Sequence, residues 1–187
     1  METFGVTSTT GYSQATWLKD YINSNQPVSP TYDGTAKSIS MYCYQAAENT
    51  GNIVFSLMEY TESPIATLVA STNSIPITTT EGWHTASFVN PPKIYSDKTY
   101  YICVNCEPTT IFIWTITDDV DGMIDHAYVY TGGYPETVES WDLDPYNKKI
   151  CLYCSYDLDT VVSQKLCTVG SGRLTFMGTE GRIQFVE

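Results

Sequence analysis

Apolar and polar residues alternate with a period of two along most of this chain, the pattern of strands that turn one face to a core. In SISMYCY (38–44), Ile39, Met41 and Cys43 fall on one face, and Ser40, Tyr42 and Tyr44 on the other. IVFSLMEY (53–60) repeats the pattern with Ile53, Phe55 and Leu57 together, and the turn residues of ENTGN (48–52) between the two runs predict a hairpin. Ser63 and Pro64 break the chain before ATLVAST, IPITTTEG holds a short extended piece, and WHTASFV (83–89) is a further strand that Asn90, Pro91 and Pro92 end. KTYYICVN (98–105) is apolar on both faces, as a central strand of a two-layer fold must be, and IFIWTI (111–116) resembles it. An acidic loop, DDVDG (118–122), leads to HAYVYT (126–131), and a Gly-, Pro- and Asp-rich stretch (132–147) precedes KKICLYCSY (148–156).

No stretch carries a helix-period apolar stripe long enough to build a layer, although SQATWLKDYI (13–22) has room for one turn of helix. The expected fold is therefore all-β, an antiparallel β-sandwich over residues 1–157 with Ile39, Met41, Ile53, Phe55, Leu57, Ile102, Val104 and Leu152 in its core. Residues 158–187 differ in character. They are rich in Gly and end in two short alternating pieces, RLTFM and RIQFV, which predict a C-terminal β-ribbon. Its apolar side chains Leu174, Phe176, Ile183 and Phe185 need a surface to lie on, because an isolated hairpin is marginal in water. Two dockings are open: added edge strands on the same sandwich, or an assembly arm on a neighbouring subunit.

Composition narrows the partners. The chain has 187 residues, a size for one sandwich with an appendage, and its 15 Tyr, 4 Trp and 6 Phe favour pleated strands. A net charge of −12 repels a phosphate backbone, so nucleic acid is not an expected partner. No apolar run approaches the roughly 18 residues of a spanning helix, so membrane insertion is not expected either. The start, METFGVTSTTGYS, has no basic segment followed by an apolar one, which predicts synthesis without a secretory signal and six cysteines that stay reduced.

Several short signatures, in order, resemble a jelly-roll module that recurs in bacterial and archaeal surface proteins and in virion proteins. They are PheGly (4–5) with a Thr/Ser run, GlyThr (34–35) leading into SISMY, and GlyAsn (51–52) opening IVFSLMEY. SerPro (63–64) before LeuValAla, GlyTrp (82–83) and LysThrTyrTyrIle (98–102) complete the series. The resemblance covers about residues 1–157 and departs at Asp97-Lys98, where the module more often has a Gly. It implies a jelly-roll-like fold and an adhesive, glycan-binding or architectural role, and it brings no catalytic residues with it.

CVNC (103–106) and CLYC (151–154) together suggest a zinc site. On strands, however, residues three apart point to opposite faces, so each pair is expected to be divided, with Cys154 inward and Cys151 outward, and the thiols to be free. Asp118, Asp119 and Asp121 are the candidate calcium ligands, since hard cations take several carboxylates beside a Gly turn; the bland alternative is a solvated acidic loop, and WDLDPYN (141–147) is a weaker version. His84 and His126 are the only groups suited to general-base work near neutrality, and both lie in predicted strands without an accompanying nucleophile motif, so no enzyme activity is expected. Tyr42, Tyr44 and Tyr60 fall opposite their strands' apolar faces and are the candidate contacts for a glycan or partner. The expected role is a virion structural protein, a capsid decoration or receptor-binding component of a tailed virus acting as a homo-oligomer with other structural subunits. The alternative is a cell-surface adhesin or carbohydrate-binding module.

Overall fold

The computed structural model of the chain describes residues 1–15, 21–45, 51–62, 65–107, 111–117, 124–128, 133–143, 148–159, 174–176 and 183–185. Every element in them is a strand. In chain order these are β1 (Glu2–Gly5), β2 (Ser13–Ala15), β3 (Tyr21–Ser24), β4 (Gly34–Gln45), β5 (Asn52–Glu62), β6 (Ile65–Ser71), β7 (Ile75–Pro76), β8 (Gly82–Ser87) and β9 (Lys93–Ile94). There follow β10 (Thr99–Cys106), β11 (Ile111–Thr117), β12 (Ile124–Ala127), β13 (Thr137–Val138), β14 (Asp142–Leu143), β15 (Lys148–Ile150), β16 (Leu152–Leu158), β17 (Leu174–Phe176) and β18 (Ile183–Phe185).

Two antiparallel eight-stranded sheets make a sandwich, an architecture consistent with a jelly-roll-like fold. The first is built on β4, whose twelve residues pair with β8 and β9 and with β16 and β11, while β1 lines the far edge of β16. The second follows the order β13-β6-β5-β10-β3-β12-β14, with β7 on β5. Alternation explains the core between them: Ala36, Ile39, Met41 and Cys43 from β4 face Ile53, Phe55 and Leu57 from β5 and Ile102, Val104 and Cys106 from β10, and Leu152, Cys154 and Tyr156 complete the layer. All eight core residues expected from the sequence belong to it, each no more than 4% exposed. The Asn25 amide ties the sheets together at one end, its Nδ2 donating to Ile150 O at 2.9 Å and its Oδ1 accepting from Ile150 N at 2.8 Å.

The predicted hairpin between the 38–44 and 53–60 runs does not form. β4 and β5 lie in different sheets, each with other partners, and their apolar faces meet across the core instead of side by side. Both arrangements bury the same residues, so the alternation that identifies the strands does not distinguish them. The turn of helix suggested within 13–22 is replaced at its ends by β2 and β3, and its middle lies outside the described residues. The strand run at 148–156 is split into β15 and β16 around Cys151.

The second sheet has a feature the sequence does not announce. β13 lies beyond β6 at one edge and β14 beyond β12 at the other, so six strand spacings separate them, about 29 Å in a flat sheet at ~4.8 Å each. Yet Val138 and Asp142 are four residues apart and span at most about 14 Å. The sheet therefore rolls, bringing its two edges together, and a second apolar cluster fills the roll: Ile22, Met58, Ala66, Tyr101, Cys103, Ile124 and Val138. Residues 133–143 strap the opening. Glu136 O accepts from Leu68 N at 2.8 Å, Tyr134 Oη donates to Val54 O at 2.8 Å, and Ser140 O lies 2.9 Å from His126 Nδ1.

Within the C-terminal segment, β17 and β18 pair antiparallel, Leu174 with Phe185 and Phe176 with Ile183, and with no other described strand. At the end of the sandwich, β16 runs to Leu158, and Asp159 bonds through its N–H to Asp33 O and through its carboxylate to Lys93. Phe55 is fully buried at the centre of the main core. Phe55→Ala is expected to lower unfolding free energy by about 3–5 kcal/mol in urea titration, whereas Thr67→Ala, on an exposed position of β6, should change it by less than about 0.5 kcal/mol.

Candidate functional site

The outer faces of the two sheets differ. That of the second is turned into its own roll, while that of the first faces outward, and three of its strands bring an aromatic row together there. From Ser38 onward the even-numbered residues of β4 lie on the outer face, so Ser38, Ser40, Tyr42 and Tyr44 form one column. On one side the register sets Trp83 beside Tyr42, Thr85 beside Ser40 and Ser87 beside Ser38; on the other, Tyr153 of β16 sits beside Ser40 and Ser155 beside Ser38. The Trp83 ring meets Tyr42 at 5.4 Å and Tyr153 at 4.9 Å between centroids, both edge-to-face, so the indole of β8 reaches across β4 to a ring of β16.

Trp83 remains 38% exposed and Tyr42 and Tyr153 are half-buried, so the row is fixed by mutual packing yet open to solvent. Hydrogen bonds set its polar margin. Tyr42 Oη donates to Glu81 Oε1 at 2.9 Å, and this bond to a carboxylate raises the phenol pKa above its ordinary value. Ser40, itself buried, holds its Oγ 2.7 Å from Oγ1 of the exposed Thr85. The face thus offers aromatic surface beside carboxylate and hydroxyl groups, which suits stacking on a sugar ring with hydrogen bonds to its hydroxyls.

Of the three tyrosines singled out by sequence, Tyr42 and Tyr44 share this face, and Tyr60 does not. Tyr60 sits on the second sheet, packed edge-on against Tyr101 at 5.9 Å beside the second cluster. Trp83 and Tyr153 are not among the candidate contacts of the sequence, although each alternates with inward residues, His84 and Ala86 in one strand and Leu152 and Cys154 in the other. Asp118, Asp119 and Asp121 lie outside the described residues, as do 144–147 of the second acidic stretch. Among the described residues no three or more His, Cys, Asp or Glu side chains are grouped to hold a metal ion. The side chains of Leu174, Phe176, Ile183 and Phe185 also lie outside them.

The cysteines follow strand alternation with one exception. Cys106 belongs to the main core and Cys103 to the second cluster, on opposite faces of β10. Cys154 faces the main core as expected, and Cys151, expected outward, belongs to neither core cluster yet is covered: it sits in the break between β15 and β16, where Ser8 O lies 3.5 Å from Sγ. His84 is half-buried, and burial lowers its pKa against partial compensation from the Thr80 and Cys43 backbones. His126 is engaged by Ser140 O, and its ring lies 6.2 Å from that of Trp141. No family model matches the chain, and no curated protein shows significant similarity to it.

Cys43, Cys103, Cys106, Cys151 and Cys154 are all buried and form no disulfide with one another. Burial pushes the Cys103 thiol from 9.0 up to about 12 and the Tyr101 phenol from 10.0 up to about 12. A neutral group with a raised folded pKa contributes stability in full below its unfolded pKa and loses it as pH rises through the folded one. Urea midpoints should accordingly hold up to pH ~9 and fall between pH ~9 and ~12, and these five thiols should resist Ellman's reagent until denaturant is added.

Proposed function

We propose that the chain is a non-enzymatic virion structural protein, a decorating or receptor-binding component of a tailed virus, whose first sheet contacts neutral glycan on a cell surface. The observation that carries the binding role is the Tyr42–Trp83–Tyr153 row, rigid and solvent-facing on a broad sheet. Neutral sugars suit it better than sialylated or sulfated ones, because a chain of charge −12 with Glu81 at the row's margin repels anions. The assembly role is supported by the β17–β18 ribbon, which pairs only with itself among the described strands and carries apolar residues in its sequence. The resemblance to jelly-roll modules of virions and surface proteins fits both roles.

The second reading, a cell-surface adhesin or carbohydrate-binding module, uses the same face and differs in the ribbon: an adhesin needs no assembly arm. On a glycan array the protein should bind neutral glycans more strongly than their sialylated counterparts, and salt should narrow the difference. Trp83→Ala should weaken that binding by about 10- to 30-fold, the ~1.4–2 kcal/mol of a stacked anchor, with urea stability little changed. Equal binding by wild type and Trp83→Ala would remove the aromatic row from the interaction.

Truncation separates the two settings. A chain ending at Asp159, which keeps β16 whole, should be a folded monomer by sedimentation while the full chain is an oligomer. An unchanged oligomeric state would favour the adhesin reading.

A further inference from the structure

Buried polar side chains without partners are uncommon in native proteins, and each calls for an explanation. Four such atoms occur among the described residues: Ser56 Oγ, Asn105 Nδ2, Asn105 Oδ1 and Trp141 Nε1. None belongs to the main core. Ser56 pairs in register with Cys103, whose side chain is in the second cluster, and Asn105 lies two residues along β10 on the same face. Ser56 and Asn105 are therefore diagonal neighbours inside the roll of the second sheet, both 0% exposed, and Trp141 packs against the same cluster from the strap.

The Tyr134 hydroxyl and the Cys103 thiol lie close enough to Ser56 to interact with it, but neither satisfies the Asn105 amide. Tyr134 Oη gives its proton to Val54 O at 2.8 Å, and Ser24 Oγ donates to Asn25 O at 2.7 Å. A carboxamide left with neither its donors nor its acceptor satisfied, in a place closed to bulk solvent, is a state a stable fold does not keep. We infer that Ser56 and Asn105 hold ordered water inside the rolled sheet, a buried hydration site beneath Tyr134 that completes the bonds the protein leaves open.

Water fits better than a larger guest because the aromatic side of the roll is filled by its own rings. Trp141 lies on Tyr101 at 4.8 Å and Tyr60 meets Tyr101 at 5.9 Å, which leaves no slot between them for another ring. The polar end supplies the two to four hydrogen-bonding atoms that a buried water needs. The site is also coupled to the strap. Since Tyr134 and residues 136–143 close the roll, such water exchanges with bulk only when the strap opens, and its residence time reports that opening.

A high-resolution crystal structure of the full chain tests the assignment directly. The expected result is at least one ordered water within hydrogen-bond distance of the Asn105 amide and Ser56 Oγ, matched in solution by magnetisation transfer from long-lived water to the Asn105 Nδ2 hydrogens. In the Asn105→Leu, Ser56→Ala double variant that water should be lost while the Tyr134 to Val54 bond remains. An Asn105 amide satisfied wholly by protein groups overturns the inference, as does an organic molecule in the site. Should the double variant fail to fold, the wild-type density still decides.

Discussion

The pairing of β5 with β10, in unbroken register from Ile53–Cys106 to Tyr60–Thr99, is the contact on which the remaining structure depends. A strand pair with one apolar face can end a core; a pair apolar on both faces must be covered twice. Ile53, Phe55, Leu57, Ile102 and Val104 meet the first sheet, and Met58, Tyr101 and Cys103 on the opposite face need a second cover. The chain has no helix among its described residues to lay there. It supplies the cover by rolling the same sheet, so that β6, β3 and β12 bend around the second face and the 133–143 strap closes the opening. One strand pair thereby serves two interiors, and the first sheet, with only one face in a core, is left with the other for solvent or a partner.

That division also explains what the sequence made legible. Which face of a strand is buried follows from local alternation, so the core residues from Ile39 to Leu152 and the two-faced nature of KTYYICVN were readable. Which strand lies beside which does not follow, because pairing depends on connections whose direction the alternation leaves open. The misplaced hairpin between β4 and β5 is one consequence. The candidate site is another: Tyr42 and Tyr44 could be placed on an outer face, but grouping Tyr42 with Trp83 and Tyr153 requires two long-range registers, 41 and 111 residues apart in sequence. The roll was hidden for a different reason. Its evidence is the short step from Val138 to Asp142, in a stretch whose Gly, Pro and Asp read as loop.

The two interiors differ in chemistry in a way that bears on their roles. The main core is closed by backbone pairing and apolar contact, and its polar neighbours are satisfied; Thr72, for instance, engages the N–H and carbonyl of Phe55. The roll mixes Ser24, Ser56 and Asn105 with Met58, Tyr101 and Trp141 and leaves bonds unmade by protein. Among the described residues the bonds that protein leaves open lie in this one interior, and the strap that closes it is short and tied by a few hydrogen bonds. The first sheet has no such freedom behind it. Its aromatic row rests on strands whose inner faces are fixed in the main core, which holds Trp83 and its two tyrosines in one arrangement before any partner arrives. Ordering those side chains beforehand lowers the entropy that a bound sugar or subunit must offset, so the rigid sheet, and not the rolled one, is the better surface for recognition.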